Sequence, residues 1–136
     1  MFRVENNSGK LIEIQVSGLR DLDEMHAFRD EVLHAVENVR GAKGAVVVVD
    51  LRLPRVFSPE VATSLENMLK RANPRIQRSA VLLAQEHAVF SLQLERLIRE
   101  AQNPSRRTFR DVEPLREWLS EVLTPAEQSR LDRFLV

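Results

Sequence analysis

The chain has 136 residues, 43% of them apolar, which is enough for one domain with a continuous core and too little for two. It contains no cysteine, so disulfides, thiolate metal ligation and cysteine nucleophilicity are excluded, and a reducing compartment, the cytoplasm, is the expected location. The 20 basic and 20 acidic residues cancel, which argues against a dedicated nucleic-acid binder.

The cancellation hides a gradient. Residues 70–110 carry 9 basic and 3 acidic side chains, whereas residues 1–69 carry 8 and 11 and residues 111–136 carry 3 and 6. Gathered on one face, such a segment would polarise the field and steer a partner; spread out, it is a solvated surface with local ion pairs. The N-terminal residues lack the apolar stretch of a signal peptide, and the longest strongly apolar run, Ala45 to Val49, is far too short to cross a bilayer, so no membrane span is expected.

In chain order, Phe2 to Glu5 and Leu11 to Val16 flank the turn signal Asn7-Ser8-Gly9. Ile12, Ile14 and Val16 alternate with Glu13 and Gln15, which predicts a β-hairpin with one buried face. Asp21 and Glu24 have capping-box spacing, and Leu22, Met25, Phe28, Val32, Val36 and Val39 follow at helical intervals, so a helix should run toward Gly41. Ala45-Val46-Val47-Val48-Val49 is continuously apolar and mostly β-branched, as in a central strand buried on both faces, with Asp50 at its polar exit.

Ser58-Pro59-Glu60 supplies an N-cap, a preset first-turn φ and an acid for the helix dipole; Val61, Leu65, Met68, Leu69 and Ala72 then form one stripe up to Asn73-Pro74. Ser79 to Ala84 predicts another buried strand, and Phe90, Leu94, Leu97, Ile98 and Ala101 a third helix. Thr108-Phe109 belongs to a short last strand, and Asp111, Glu113 and Pro114 open a helix carrying Leu115, Trp118, Leu119 and Val122, with Trp118 expected in the core. Thr124-Pro125 begins a final short helix whose Leu131, Phe134 and Leu135 either pack back or dock onto a second copy. The expected fold is α/β, ββαβαβαβα, with a mixed, mostly parallel sheet covered by helices; residues 1–123 form the domain and 124–136 a C-terminal helical extension.

This order, with three stretches of sequence, resembles the STAS domain and its SpoIIAA-like relatives, including small bacterial proteins grouped with STAS and SEC14-type folds. The stretches are the opening hairpin, Val46-Val47-Val48-Val49-Asp50-Leu51, and Thr108-Phe109-Arg110-Asp111 followed by Pro114-Leu115-Arg116-Glu117-Trp118-Leu119. The resemblance spans roughly residues 2 to 123. It implies a regulatory module that binds another protein, and its SEC14-type side implies, as the alternative, binding or sensing of a small lipid or anion. Anti-sigma-factor antagonists of the family carry a phosphorylatable serine in an Asp-Ser-Ser-Gly-Leu-Gly-like run after the buried strand. Here the acceptor position falls on Pro59, its preceding acid on Ser58, and Glu60-Val61-Ala62 replaces the Gly-Leu-Gly run. With the register moved by one, Ser58 becomes the candidate phosphoacceptor, although capping explains the same serine.

Catalytic signatures are absent. There is no nucleophile elbow, phosphate loop or dinucleotide fingerprint, and four glycines are too few to build them. His26 and His34 are eight residues apart, about two helical turns, too far to share a metal. The chain is therefore expected to be no enzyme and to need no cofactor or metal. Val56, Phe57 and Ser58, in the loop before the second helix, are the expected partner contact, with Phe57 as its apolar anchor or else as core. Asp50, Arg52 and Arg55, joined by His87 and Arg110, are the expected anion-binding group, because crevices form beyond the carboxyl ends of parallel strands and arginine suits phosphate or carboxylate. Arg106 and Arg107 join them if the last strand lies alongside. The competing account pairs Asp50 with a nearby arginine.

Overall fold

A computed structural model describes residues 1–52 and 56–136. Its elements are β1 (Phe2–Ser8), β2 (Leu11–Val16), α1 (Leu22–Glu37), β3 (Ala45–Leu51), α2 (Pro59–Ala72), β4 (Ile76–Leu83), α3 (Ala88–Glu100), β5 (Arg106–Phe109), α4 (Val112–Ser120) and α5 (Pro125–Phe134), with one 3-10 turn at Asn73–Arg75. The five strands form one mixed sheet in the order β1-β2-β3-β4-β5. β1 is antiparallel to β2, and β2 through β5 are parallel.

Adjacent parallel strands in sequence order need a crossover each, and crossovers of one hand deliver every helix to one face. Accordingly α1, α2 and α3 share a single apolar cluster with the side chains of Ile12, Ile14, Val47, Val81 and Leu83. α4 and α5 follow the last strand and are free of that rule. They cover the opposite face, where Leu115, Trp118, Leu119, Leu131 and Leu135 pack on Leu11, Val46, Val48, Ala80 and Leu82. Helices thus lie on both sides of the sheet, and the valine run of β3 is buried because both of its faces are covered.

Most helix boundaries follow from caps. The Asp21 side chain accepts from the Glu24 N–H at 2.9 Å, and the Glu24 carboxylate accepts from the Arg20 N–H at 2.8 Å. Ser58 accepts from the Val61 N–H with Pro59 in the first turn, and Thr124 with Glu127 completes a full capping box. α1 ends at Glu37 with Asn38 as its C-cap, short of the expected stop at Gly41.

One expectation is corrected and one open alternative is decided. The hairpin was expected to bury one face, yet β2 lies between β1 and β3 and is covered on both sides, so Glu13 at a polar alternation position is only 4% exposed. The C-terminal helix packs back on its own sheet: Leu131 and Leu135 are buried in the second core and are not available to a second copy. Two carboxylates position it. Glu127 accepts from the Lys10 N–H at 2.8 Å and from the Thr124 N–H at 2.9 Å, while Glu13 receives Arg130 through Nε at 2.8 Å and Nη2 at 3.0 Å. Gly9, at φ +52°, makes the β1–β2 turn, and a side chain there would run into the Glu127 carboxylate.

Candidate interaction surface

The rim beyond the C-terminal ends of β3 and β4 carries the loop into α2 and the start of α3. Phe57 is buried there, 5% exposed, with its ring edge-on to Phe90 at 5.4 Å. The anchor expected at Phe57 is therefore corrected: its ring belongs to the core beneath α2 and α3. The Gln93 side chain grips the same residue, accepting from the Phe57 N–H and donating to the Phe57 carbonyl, both at 3.0 Å. These bonds tie the residue that follows Val56 to α3.

Val56 is 59% exposed, and Val89 and Leu92 on α3 are 71% and 67% exposed. Val89 and Leu92 are three residues apart, and Val89 and Gln93 four, so on a helix they share the side that meets the Val56 loop. Farther along α3, Arg96 and Arg99 are exposed at the next helical intervals. The surface is thus aliphatic at the strand-end rim and basic along α3. Of its apolar members, only Val56 is singled out by the sequence. Val89 and Leu92 had a visible signal, since they fall outside the stripe of Phe90, Leu94, Leu97, Ile98 and Ala101 that makes α3 amphipathic.

The other expected residues do not converge. Asp50 receives Arg52 as a fork, Nε at 3.1 Å and Nη2 at 3.0 Å, and also accepts the Arg52 N–H. That carboxylate raises the Arg52 pKa and occupies its donors, as the competing account held. Arg110 lies beyond β5, separated from β3 by β4, and pairs with Glu95 at 3.4 Å. His87 is the exposed N-cap residue of α3 and makes no side-chain capping bond. Arg55 lies outside the described residues. Ser58 is exposed, with its hydroxyl committed to capping α2.

The basic residues 70–110 do not make one patch. Arg106 points into the α1–α3 side, where it donates to Asn73 Oδ1 and to the Leu69 carbonyl at the end of α2. Burial pushes its pKa down to about 10, and the two acceptors, one of them at a helix C-terminus, receive its donors. Arg78 and Arg107 lie on the other face, each 4.8 Å from the centroid of the Trp118 ring, and Arg78 also bonds to the Trp118 carbonyl and Glu121. Trp118 is a core residue, as expected, with its indole capped by cations.

Between the sheet and α1–α3 lies a void of about 70 Å³, lined by aliphatic side chains with Ser79 and Arg106 at its polar limit. Among the described residues, no group of three or more His, Cys, Asp or Glu side chains is placed to hold a metal, and no helix is long and apolar enough to cross a membrane. No protein-family model matches the chain, and no curated protein matches it.

Proposed function

We propose that the chain is a non-catalytic protein-interaction module, of the STAS or SpoIIAA-like kind, whose contact surface is the aliphatic corner formed by Val56, Val89 and Leu92. The observation that carries this reading is the exposure of these three aliphatic side chains on a rim where Gln93 makes two hydrogen bonds to the Phe57 backbone. An exposed apolar group on a preorganised support binds without first ordering itself. Arg96 and Arg99, next along α3, favour a partner whose apolar contact is followed by acidic residues. The small-ligand alternative has less support: the apolar void between the sheet and α1–α3 is about 70 Å³, well below ordinary ligand pockets, the larger concavities of about 680 and 770 Å³ are open clefts at the surface, and Arg52 and Arg110 are already paired.

The test compares the unmodified chain with Val89→Ser/Leu92→Ser in a tagged pull-down from native cells, with quantitative mass spectrometry. A stoichiometric protein retained by the first and lost from the second, at an unchanged melting temperature, is the expected result. The same proteins recovered with both chains would overturn the assignment of this surface.

A further inference from the structure

The sheet has two open edges, β1 and β5. Their backbone groups can be assigned from the ladder. The Ser17 N–H donates to the Met1 carbonyl, and the same register sets Arg3 opposite Gln15 and Glu5 opposite Glu13. Hydrogen-bonded pairs alternate along an antiparallel ladder, so Arg3 and Glu5 direct their N–H and C=O groups to β2. Phe2 and Val4 turn theirs outward.

We propose that this edge pairs with the β1 edge of a second copy of the chain, antiparallel and with its two-fold axis at Val4. That register makes Val4 and the second copy's Val4 a hydrogen-bonded pair. It also sets Arg3 opposite the second copy's Glu5, twice, in the close non-hydrogen-bonded positions. Arg3 and Glu5 already lie on one face of β1, 3.0 Å apart and with side chains 61% and 39% exposed, so the axis completes a four-charge ladder of alternating sign. On the other face, Phe2 and Val4 are half-buried against the α1 side of the core, and the added strand would cover what remains.

Charges on an edge strand ordinarily discourage pairing. Here the order Arg3-Val4-Glu5 is its own complement, which favours a second copy over an arbitrary strand. The β5 edge lacks this property: it has four residues, Arg106 to Phe109, the Arg106 N–H is taken by the Asn103 carbonyl, and no two-fold within it sets a cation against an acid. The proposal does not rest on the Val56 corner, which lies elsewhere on the molecule, so either can fail alone.

The experiment measures the mass of the full chain in solution by sedimentation equilibrium across a concentration series. The expected result is a rise from 15.6 kDa to twice that mass. Arg3→Glu and Glu5→Arg should each hold the chain at the monomer mass, because each sets like charges opposite one another. Mixed in equal amounts they should form a heterodimer, since one then carries acids at both positions and the other bases at both. An interaction confined to one chain would give no such rescue. Hydrogen exchange on the unsubstituted chain is the second reading: the Val4 amide should become protected as the dimer fills. A monomer at every concentration, a dimer that both single variants keep, or a dimer with an unprotected Val4 amide would each overturn the proposal.

Discussion

The two faces of the sheet are closed in different ways. Under α1, α2 and α3 the filling is almost wholly aliphatic and aromatic, and it leaves a void of about 70 Å³. Under α4 and α5 the apolar cluster is smaller, and directional polar contacts complete it, Glu13 with Arg130 and Glu127 with the turn at Lys10, while Arg116 and Asp132 form an ion pair between the two helices at 2.7 Å. The difference follows from chain connection. α1–α3 each link one parallel strand to the next, and burial does most of the seating, with the Gln93–Phe57 and Arg106–Asn73 bonds at the margins. α5 follows another helix, α4, rather than a strand, and contacts with defined geometry fix its register.

That contrast can be broken most severely at the Glu13 pair. Arg130→Met would leave a nearly inaccessible carboxylate with Asn7, at 3.4 Å, as its one side-chain donor among the described residues, because removing one partner of a buried pair strands the other. It should give the largest fall in urea midpoint of the set, and adding Glu13→Leu in the same chain should restore much of the loss. If the double substitution is as damaged as the single, the pair is not what fixes α5.

Next in size is Glu127→Gln, which weakens the bonds to the Lys10 and Thr124 N–H groups. A loss of about 2 kcal/mol in unfolding free energy is expected from a buried acceptor of this kind, together with faster amide exchange at Lys10. A smaller effect sharpens the contrast between the faces. Val81→Ile adds a methylene beside the void and should change stability by no more than about 1 kcal/mol, whereas Val48→Ile, in the filled core under α4 and α5, should cost about 1–3 kcal/mol. Equal losses would mean that the void is not usable space.

The smallest expected effect is in acid. The Met1 ammonium, 2.8 Å from the Glu24 carboxylate, and then the Arg20 N–H hold that carboxyl below its ordinary value of 4.5. A depressed folded pKa adds stability above the unfolded pKa, and that stability is lost as pH falls through the folded pKa. Glu24→Gln should therefore flatten the stability profile slightly below pH 4.5 and leave its slope at neutral pH unchanged, as read by urea midpoints across pH.

Much of this architecture was legible in the residues. The valine run of β3, the Ser58-Pro59 and Thr124-Pro125 helix starts and the stripes of α1–α4 are local signals, set by side-chain period and cap chemistry within a few residues. The candidate surface was legible in part. Val56 is exposed, but Phe57, its neighbour, is turned into the core by Phe90 and Gln93, which lie more than thirty positions later. Of the expected anion group, Arg52 pairs with Asp50 and Arg110 with Glu95, and the sheet order keeps β3 and β5 apart, while Arg55 lies outside the described residues.

By itself, then, the sequence determined which segments are strands and helices, in what order, and which side of each helix is apolar, because those properties depend on periodicity and on groups adjacent in the chain. Only the tertiary structure decided that α4 and α5 take the face opposite α1–α3, that Glu13 is buried by Arg130 from 117 positions away, and that Val89 and Leu92 stay in solvent while Phe57 does not. Those outcomes turn on which surfaces the folded chain brings together, and no local pattern encodes a pairing across that distance.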